Sequence, residues 1–189
     1  MPRNSASSIE IVASLVRDAL GRGASVDIDG LGTFRPHGTA GFTFHPPSSP
    51  KVFIAYIHED AAVADRIFDA LSFSGFDPWM DRRELTPGQN WPLAIKNAMQ
   101  TSDFALLCFS HNSVKKKGGF QAEIRYALEC AAQLPLDDIF IIPVRFDDCR
   151  IPPRIQCELQ YVDLFPDWEL GLQRILRVIR AQLIRRKAA

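Results

Sequence analysis

The side chains in this sequence that could act on a substrate are polar residues placed just after short apolar runs. His58 follows the run Val52-Phe-Ile-Ala-Tyr56, Asp81 follows the run that ends at Met80, and Glu123 lies near the start of a later helical segment. Imidazole and carboxyl groups serve in general acid–base chemistry and in stabilising positive charge in a transition state. The pattern therefore makes these side chains candidates for a polar site at the ends of the strands.

Each of these side chains also has a structural interpretation. His58 can be a solvated loop residue, and Asp60 is explained as the N-cap of a helix that begins at Ala61. Asp81 can hydrogen-bond loop backbone. Glu123 falls in the first turns of its helix, where the helix dipole favours an acid. Residue type and position alone leave the catalytic and the structural interpretation of each residue open.

Several kinds of chemistry lack their sequence signatures. Neither a G-x-G-x-x-G turn nor a GK[ST] phosphate loop occurs, and there is no G-x-S-x-G elbow. The cysteines, which are Cys108, Cys130, Cys149 and Cys157, form no C-x-x-C pair. With 22 Lys plus Arg against 22 Asp plus Glu, the whole-chain charge indicates no nucleic-acid or membrane affinity. We expect reduced thiols, no metal and no resident cofactor.

The elements that position these residues alternate between strand and helix from Lys51 onward. The predicted strands cover 52–56, 76–80, 104–109, 139–144 and 161–164, and the predicted helices cover 61–73, 91–99, 119–132 and 167–187. Such alternation requires crossover connections, which make strands parallel and cover both faces with helices. We predict an α/β, flavodoxin-like, three-layer domain with a five-stranded parallel sheet whose first strand is central. Ligands of such sheets bind beyond the carboxyl ends of the strands, where loops 57–60, 81–90 and 110–118 would meet.

The first 48 residues have a different pattern. A helix over 9–20 precedes short strands at 26–28, 31–34 and 42–44, which predicts a small α+β module. The proline-rich stretch 45–50 is predicted to be an extended linker to a second domain at 51–187. The start of the sequence is polar and no apolar run approaches the ~20 residues of a membrane span. We therefore expect a cytoplasmic chain.

Seven segments of residues 51–184 resemble, in the correct order, motifs of bacterial TIR (Toll/interleukin-1 receptor) domains. They are residues 53–60, 75–81, 85–91, 102–104, 108–113, 121–128 and 142–149, among them Phe53-Ile-Ala-Tyr-Ile-His-Glu-Asp60, Leu85-Thr-Pro-Gly-Gln-Asn-Trp91 and Gln121-Ala-Glu-Ile-Arg-Tyr-Ala-Leu128. The matching region spans about 70% of the chain. The family implies the same flavodoxin-like fold that the periodicity predicts.

The resemblance also implies self-association. Residues 81–90 resemble the BB loop, through which TIR domains associate with one another. The residues implied for this role here are Leu85, Pro87, Gly88 and Trp91. The implied partners are other TIR domains, in a homo-oligomer or a filament, and a bacterial defence or signalling role is expected on family grounds.

The resemblance implies an activity as well, because many bacterial and plant members cleave NAD⁺ at the nicotinamide–ribose bond. Their essential glutamate matches Glu123 by position. The implied substrate-binding residues are Tyr56, Ile57, His58, Asp81 and Phe120. The sequence departs from active members at Gly119, where an aromatic residue is common, and at Ile57, where Ser or Arg is common. The alternative is a catalytically silent TIR module that recruits partners through its BB loop.

Residues 10–45 have a weaker resemblance to the middle of HU/IHF-like DNA-binding proteins. The shared features are a helix, a Gly-x-x-Val-x-Ile segment and Gly30-Leu-Gly-Thr-Phe34. That family binds DNA with a long basic β-arm, whereas only Arg35-Pro-His separates Phe34 from the next glycine here. We expect an interaction or sensing module and no nucleic-acid partner, and a DNA-associated module is the remaining alternative.

Overall fold

The computed structural model describes residues 8–28, 31–37, 41–45 and 49–188. The chain forms two compact units, Met1–Ser48 and Ser49–Ala189. Part of the predicted linker, residues 46–48, lies outside the described residues.

The first unit contains one helix and one antiparallel sheet. Helix α1 spans Ser8–Gly21, and strands β1 (Val26–Ile28), β2 (Gly32–His37) and β3 (Gly41–His45) pair in that order. The register places Phe34 opposite Phe44. Residues two apart on a strand share a face, and the ring of Phe34 lies 5.6 Å from that of Phe42 and 4.9 Å from that of Phe44. One face of this small sheet is therefore aromatic.

The second unit is built on a parallel sheet of five strands. These are β4 (Lys51–Ala55), β5 (Asp77–Trp79), β6 (Phe104–Phe109), β7 (Ile141–Arg145) and β8 (Val162–Asp163). Their order is β5-β4-β6-β7-β8, and every pairing is parallel. The predicted flavodoxin-like fold is confirmed, but the middle strand is β6, whereas the first strand, β4, which was predicted to be central, lies between the edge strand β5 and β6. All six residues of β6 are buried, as expected for a strand covered on both faces.

Helices cover both faces of this sheet. They are α2 (Ala61–Phe73), α3 (Asp81–Glu84), α4 (Trp91–Gln100), α5 (Gly119–Ala131), α6 (Pro153–Gln156) and α7 (Trp168–Ala188). Ile67 of α2 and Ile175 of α7 belong to one apolar cluster, whereas Met99 of α4 and Ile124 of α5 belong to the cluster on the other face. Within the described part of the chain, no helix combines the length and apolar character needed to cross a membrane.

Two short helices were not predicted. Helix α3 occupies the start of the expected loop 81–90, where the amide of Leu85 donates to the carbonyl of Asp81 at 2.9 Å. Helix α6 begins at Pro153, whose fixed φ suits the first turn of a helix. Four residues are too few for the periodicity of a helix to be visible in a sequence.

Candidate active site

A tyrosine and an aspartate meet at the carboxyl edge of the sheet. Tyr56 directly follows β4, and Asp81 lies two residues after β5, which is the neighbouring parallel strand. The Tyr56 hydroxyl donates to Asp81 Oδ1 at 2.7 Å, and the backbone amide of Arg82 donates to the same oxygen at 2.7 Å. Burial and this hydrogen bond raise the pKa of Tyr56. Tyr56 therefore stays a phenol and holds the Asp81 carboxylate in place.

Glu123 reaches this pair from the second turn of α5. Its half-buried side chain shares a cavity with Tyr56 and Asp81. The remaining lining residues are Phe53, Ile54, Trp79 and Ile95. The cavity measures only about 10 Å³, which is about the space of one water molecule. Burial, and secondarily the charge of Asp81, raise the pKa of Glu123 to about 8.

A larger crevice adjoins this small cavity. It measures about 310 Å³ and is lined by Tyr56, His58, Asp81, Arg82 and Leu85. Tyr56 and Asp81 line both spaces, so their hydrogen-bonded pair forms the wall between them. Arg82 did not stand out in the sequence. Its position directly after Asp81, in a polar loop that follows a strand, was the available signal.

Ion pairs hold α3, whose first residue, Asp81, lines the small cavity. Arg82 and Arg83 of α3 both pair with Asp65 of α2, the latter at 2.9 Å, and Arg83 also reaches Asp69 at 2.8 Å. The Arg83 guanidinium lies 4.3 Å from the centre of the Phe68 ring. Such exposed pairs contribute little energy each, but together they fasten α3, and Asp81 with it, to α2.

Two predicted substrate-binding residues lie in the apolar core. Ile57 is 4% exposed and Phe120 is 6% exposed, and both belong to the cluster beneath α4 and α5. The ring of Phe120 packs edge-on against that of Phe109 at 5.8 Å. The structure thus brings Tyr56, Asp81 and Glu123 together, with His58 on the adjoining crevice, but not these two side chains.

Asp60 does not cap α2, contrary to the sequence interpretation. Its side chain makes no cap hydrogen bond and instead accepts from the hydroxyl of Ser110 at 2.6 Å. Both residues are buried, and burial raises the pKa of Asp60. The hydroxyl of Ser113 accepts the amide of Ser110 at 2.7 Å. This network fastens the loop after β4 to the loop after β6, because each loop alone would leave its buried polar groups unsatisfied.

The segment that matches the BB loop leads into an exposed apolar surface on the first turn of α4. Its tip is a turn in which the amide of Gln89 donates to the carbonyl of Thr86 at 3.1 Å, with Gly88 at a φ of 86°. A positive φ at this position requires glycine in such a turn. Trp91 is 55% exposed and Leu93 is 54% exposed. Trp91 is therefore not buried in the core with the rest of α4, and it remains available to a partner.

One cluster of metal-ligand types occurs among the described residues, formed by His111, Asp147 and Asp148. The two ring nitrogens of His111 face different carboxylates, with Nδ1 at 3.1 Å from Asp147 and Nε2 at 3.5 Å from Asp148. Asp147 also accepts the backbone amides of His111 and Cys149. These groups satisfy one another as a loop network, so we assign no metal to them.

Comparisons with known proteins agree with this architecture. A family model described as the TIR domain matches residues 52–176. The TIR domain of the Toll-related receptor TRR-2 from Hydra magnipapillata has a TM-score of 0.57 at 22% identity, over 68% of this chain and 97% of that one. The TIR domains of the activated Roq1 resistosome, which directly recognises the pathogen effector XopQ, have a TM-score of 0.56 at 20% identity, over 69% and 99%.

A metazoan TIR-STING receptor from C. gigas, solved in complex with 2′,3′-cGAMP, has a TM-score of 0.52 at 20% identity. That similarity covers 65% of this chain and 38% of the receptor. No curated protein sequence matches the chain. At these identities the solved structures establish the fold alone, whereas the family match extends over most of the second unit. This chain belongs to the TIR-domain family.

Proposed function

We propose that this protein is an NAD⁺ glycohydrolase that cleaves the nicotinamide–ribose bond with Glu123 as its catalytic carboxylate. The observation that carries the proposal is the position of Glu123 in a cavity shared with the hydrogen-bonded pair of Tyr56 and Asp81. A carboxyl group in a cleft with a pKa strongly perturbed by burial and by a neighbouring charge is a candidate for a functional site. The position of Glu123 in the TIR pattern supports the same assignment.

The reaction needs an anion beside the ribose. When the C1′–N1 bond breaks, its electron pair neutralises the pyridinium and nicotinamide leaves without a proton. The ribose is left with oxocarbenium character, as in glycoside cleavage. A carboxylate next to C1′ stabilises this charge, and water then adds at C1′ and releases a proton. In this proposal Glu123 supplies the negative charge and Tyr56 with Asp81 borders the nicotinamide side.

Burial in the small cavity keeps Glu123 in the wrong protonation state for stabilising a positive charge. With a pKa of about 8, its carboxyl is mostly protonated at pH 7. Opening the cavity would hydrate the carboxyl, and a bound nicotinamide cation would attract its anion, so both events lower the pKa. Opening the site therefore also charges its catalytic group.

Substrate access requires the wall of the cavity to move. A space of about 10 Å³ excludes a dinucleotide, and the adjoining crevice of about 310 Å³ lies at the small end of ligand sites. The wall includes Asp81, the first residue of α3, and residues 85–90 connect α3 to the exposed Trp91 at the start of α4. We propose that association of TIR domains through this loop draws α3 away and opens the site. On family grounds we assign the activity to a cytoplasmic defence or signalling response.

The test measures nicotinamide release from NAD⁺ by the wild-type chain, by Glu123→Gln and by Glu129→Gln. The last variant removes an exposed carboxyl from the same helix and is the matched control. Release is measured over a series of protein concentrations, with and without a crowding agent, because high concentration and crowding favour assembly. We expect release that rises more steeply than linearly with protein concentration, is lost in Glu123→Gln and is retained in Glu129→Gln. Equal release by wild type and Glu123→Gln would refute the proposal.

The second candidate function is a silent interaction module that acts through the BB loop. The nearly filled cavity around Glu123 and the exposed side chains of Trp91 and Leu93 favour it. In that case no nicotinamide is released at any concentration, while sedimentation still detects association that Trp91→Ser weakens. Release that depends on Glu123 would exclude this alternative.

A further inference from the structure

The first unit lacks an apolar core of its own among its described residues. No apolar side chain in residues 10–28, 31–36 and 41–44 is buried. Helix α1 and the sheet instead enclose an open groove of about 590 Å³. Its lining is apolar except for Arg17, and includes Val12, Val16, Leu20, Phe34 and Phe42. Domains of fewer than about 70–80 residues usually gain stability from disulfides, a structural metal or oligomerisation.

Helix α1 also carries an apolar ridge outside the groove. Ile11 and Leu15 lie one turn apart and are 52% and 63% exposed, but they do not line the groove. Successive residues of a helix are rotated by about 100° around its axis. Viewed down that axis, the apolar positions of α1 therefore occupy an arc of roughly 200°, with Ile11 at one end and Ala13 at the other. A helix that packs on a single sheet needs an apolar stripe of only about 100°. The excess predicts a second packing partner for α1.

We propose that a second copy of this chain covers the groove, with the ridge of Ile11 and Leu15 of each copy seated in the groove of the other. A two-fold interface is self-complementary, because the same patch supplies both sides. This module carries both halves of such a contact, an apolar groove and an apolar ridge beside it. The proposal is independent of whether the chain cleaves NAD⁺.

The exposed apolar area matches what a stable dimer needs. The module exposes Ile11, Val12, Leu15, Leu31, Phe42 and Phe44, each to between 44% and 63%. At ~150–250 Å² for an aromatic side chain, and less for an aliphatic one, these six expose roughly 500 Å². A standard interface buries ~800 Å² on each partner, of which ~65% is apolar in homodimers, and therefore needs roughly 500 Å² of apolar surface.

The charges of the first unit are compatible with a second copy of the chain as its partner. Residues 1–48 contain four arginines, no lysine and four acidic residues, so two copies do not repel each other through net charge. Arg17 borders the groove, and Asp18 follows it on the side of the helix that carries the ridge. Reciprocal seating brings the Arg17 of one copy towards the Asp18 of the other, and such complementary charges help to fix the register of an interface. A neutral, apolar face does not suit a nucleic acid.

The test uses the full-length chain in a sedimentation-velocity concentration series. Leu15→Glu places a charge on the ridge, and the matched control Ser14→Glu places the same charge on the neighbouring, exposed polar face of α1. We expect a dimer for wild type and for Ser14→Glu, and at least a tenfold weaker dimer for Leu15→Glu. A monomeric wild type at all concentrations, or equal effects of the two variants, would overturn the proposal. If the chain dimerises only through its TIR unit, Leu15→Glu and Ser14→Glu will have equal effects.

A complementation experiment tests the reciprocal geometry. Phe42→Ser damages the groove, as Leu15→Glu damages the ridge, and both side chains are exposed enough to change without unfolding the chain. Each variant alone forms two damaged contacts in its homodimer. In a mixture, the heterodimer of the two variants keeps one intact ridge–groove contact, so we expect dimers to reappear on mixing. A mixture that stays as monomeric as its components would refute the reciprocal arrangement.

Discussion

Glu123→Gln is expected to stabilise the fold while it removes the proposed activity. The pKa of Glu123 is raised from an ordinary value of 4.5 to about 8 by burial and by Asp81. At a pH between these two pKa values, the Glu123 carboxyl loses its proton in the unfolded chain and keeps it in the folded chain. A group with a raised folded-state pKa of this kind contributes its full stability below pH 4.5 and loses it as the pH rises to about 8. Glutamine cannot ionise and escapes this loss.

The size of the effect follows from the same values. One pKa unit corresponds to about 1.4 kcal/mol, so the rise from 4.5 to about 8 corresponds to about 5 kcal/mol at full burial. Glu123 is only half-buried, and allowance for solvent screening reduces the difference in unfolding free energy to about 2 kcal/mol. For a chain of this length, that difference raises the melting temperature by about 4–8 °C.

The assay is thermal unfolding of wild type, Glu123→Gln and the control Glu129→Gln between pH 4.5 and 9. We expect the advantage of Glu123→Gln to grow from pH 5 to 8 and to level off above pH 8, since both states of the wild type are then ionised. Glu129→Gln, which changes an exposed carboxyl, is expected to give a difference that does not vary with pH. A constant difference for Glu123→Gln, or a variant less stable than wild type at pH 8.5, would refute the reasoning about burial.

Three further variants test the contacts around the site. Tyr56→Phe removes the hydroxyl that donates to Asp81 and is expected to lower the free energy of unfolding in urea by about 1–2 kcal/mol, because the acceptor is a partly buried carboxylate. Asp65→Asn removes a partner of both arginines of α3; two weakened surface pairs together amount to about 1 kcal/mol, so amide exchange at residues 82–85 is expected to rise about fivefold. Ser110→Ala leaves the buried carboxylate of Asp60 without its hydroxyl donor, and is expected to destabilise the fold by about 1–3 kcal/mol.

Matched changes elsewhere separate these effects from general damage. Asp77→Asn removes an exposed carboxylate at the start of β5 and is expected to leave amide exchange at residues 82–85 unchanged. Ser72→Ala removes a hydroxyl that bonds its own helix at Phe68 and is expected to cost less than about 0.5 kcal/mol. If Ser110→Ala lowers the free energy of unfolding no more than Ser72→Ala does, the contact between Ser110 and Asp60 does not stabilise the fold. If amides 82–85 exchange no faster in Asp65→Asn than in Asp77→Asn, the ion pairs of Asp65 do not hold α3.

The fold was predictable because buried parallel strands leave a plain record in a sequence. Continuous apolar runs such as Phe104–Phe109, separated by amphipathic helices, admit few other architectures. The meeting of Tyr56 and Asp81 was predictable for the same reason, since neighbouring parallel strands end at one edge. Within the second unit, Arg145 belongs to β7 although the predicted strand ended one residue earlier, because a charged residue ends an apolar run even where sheet pairing continues.

The environment of individual side chains was not predictable in this way. Ile57 and Phe120 carry the residue types of a binding loop or of a core, and only the packing of α4 and α5 places them in the core. Asp60 suits an N-cap by position, yet its partner Ser110 lies 50 residues away in the sequence. The raised pKa of Glu123 depends on burial beneath residues from separate elements. These are tertiary effects, which the pattern of one segment does not record.

The most direct test of the central claim is the pH dependence of kcat/KM for nicotinamide release from NAD⁺. This quantity reports the ionisation of the free enzyme, in which Glu123 has a pKa of about 8 while the site is buried and a lower pKa once association opens it. We expect kcat/KM to fall as the pH is lowered, with a midpoint between the ordinary value of 4.5 and about 8, and to disappear in Glu123→Gln. Release that increases as the pH falls, or that persists in Glu123→Gln, would contradict the claim that the Glu123 carboxylate stabilises the charge formed when the glycosidic bond breaks.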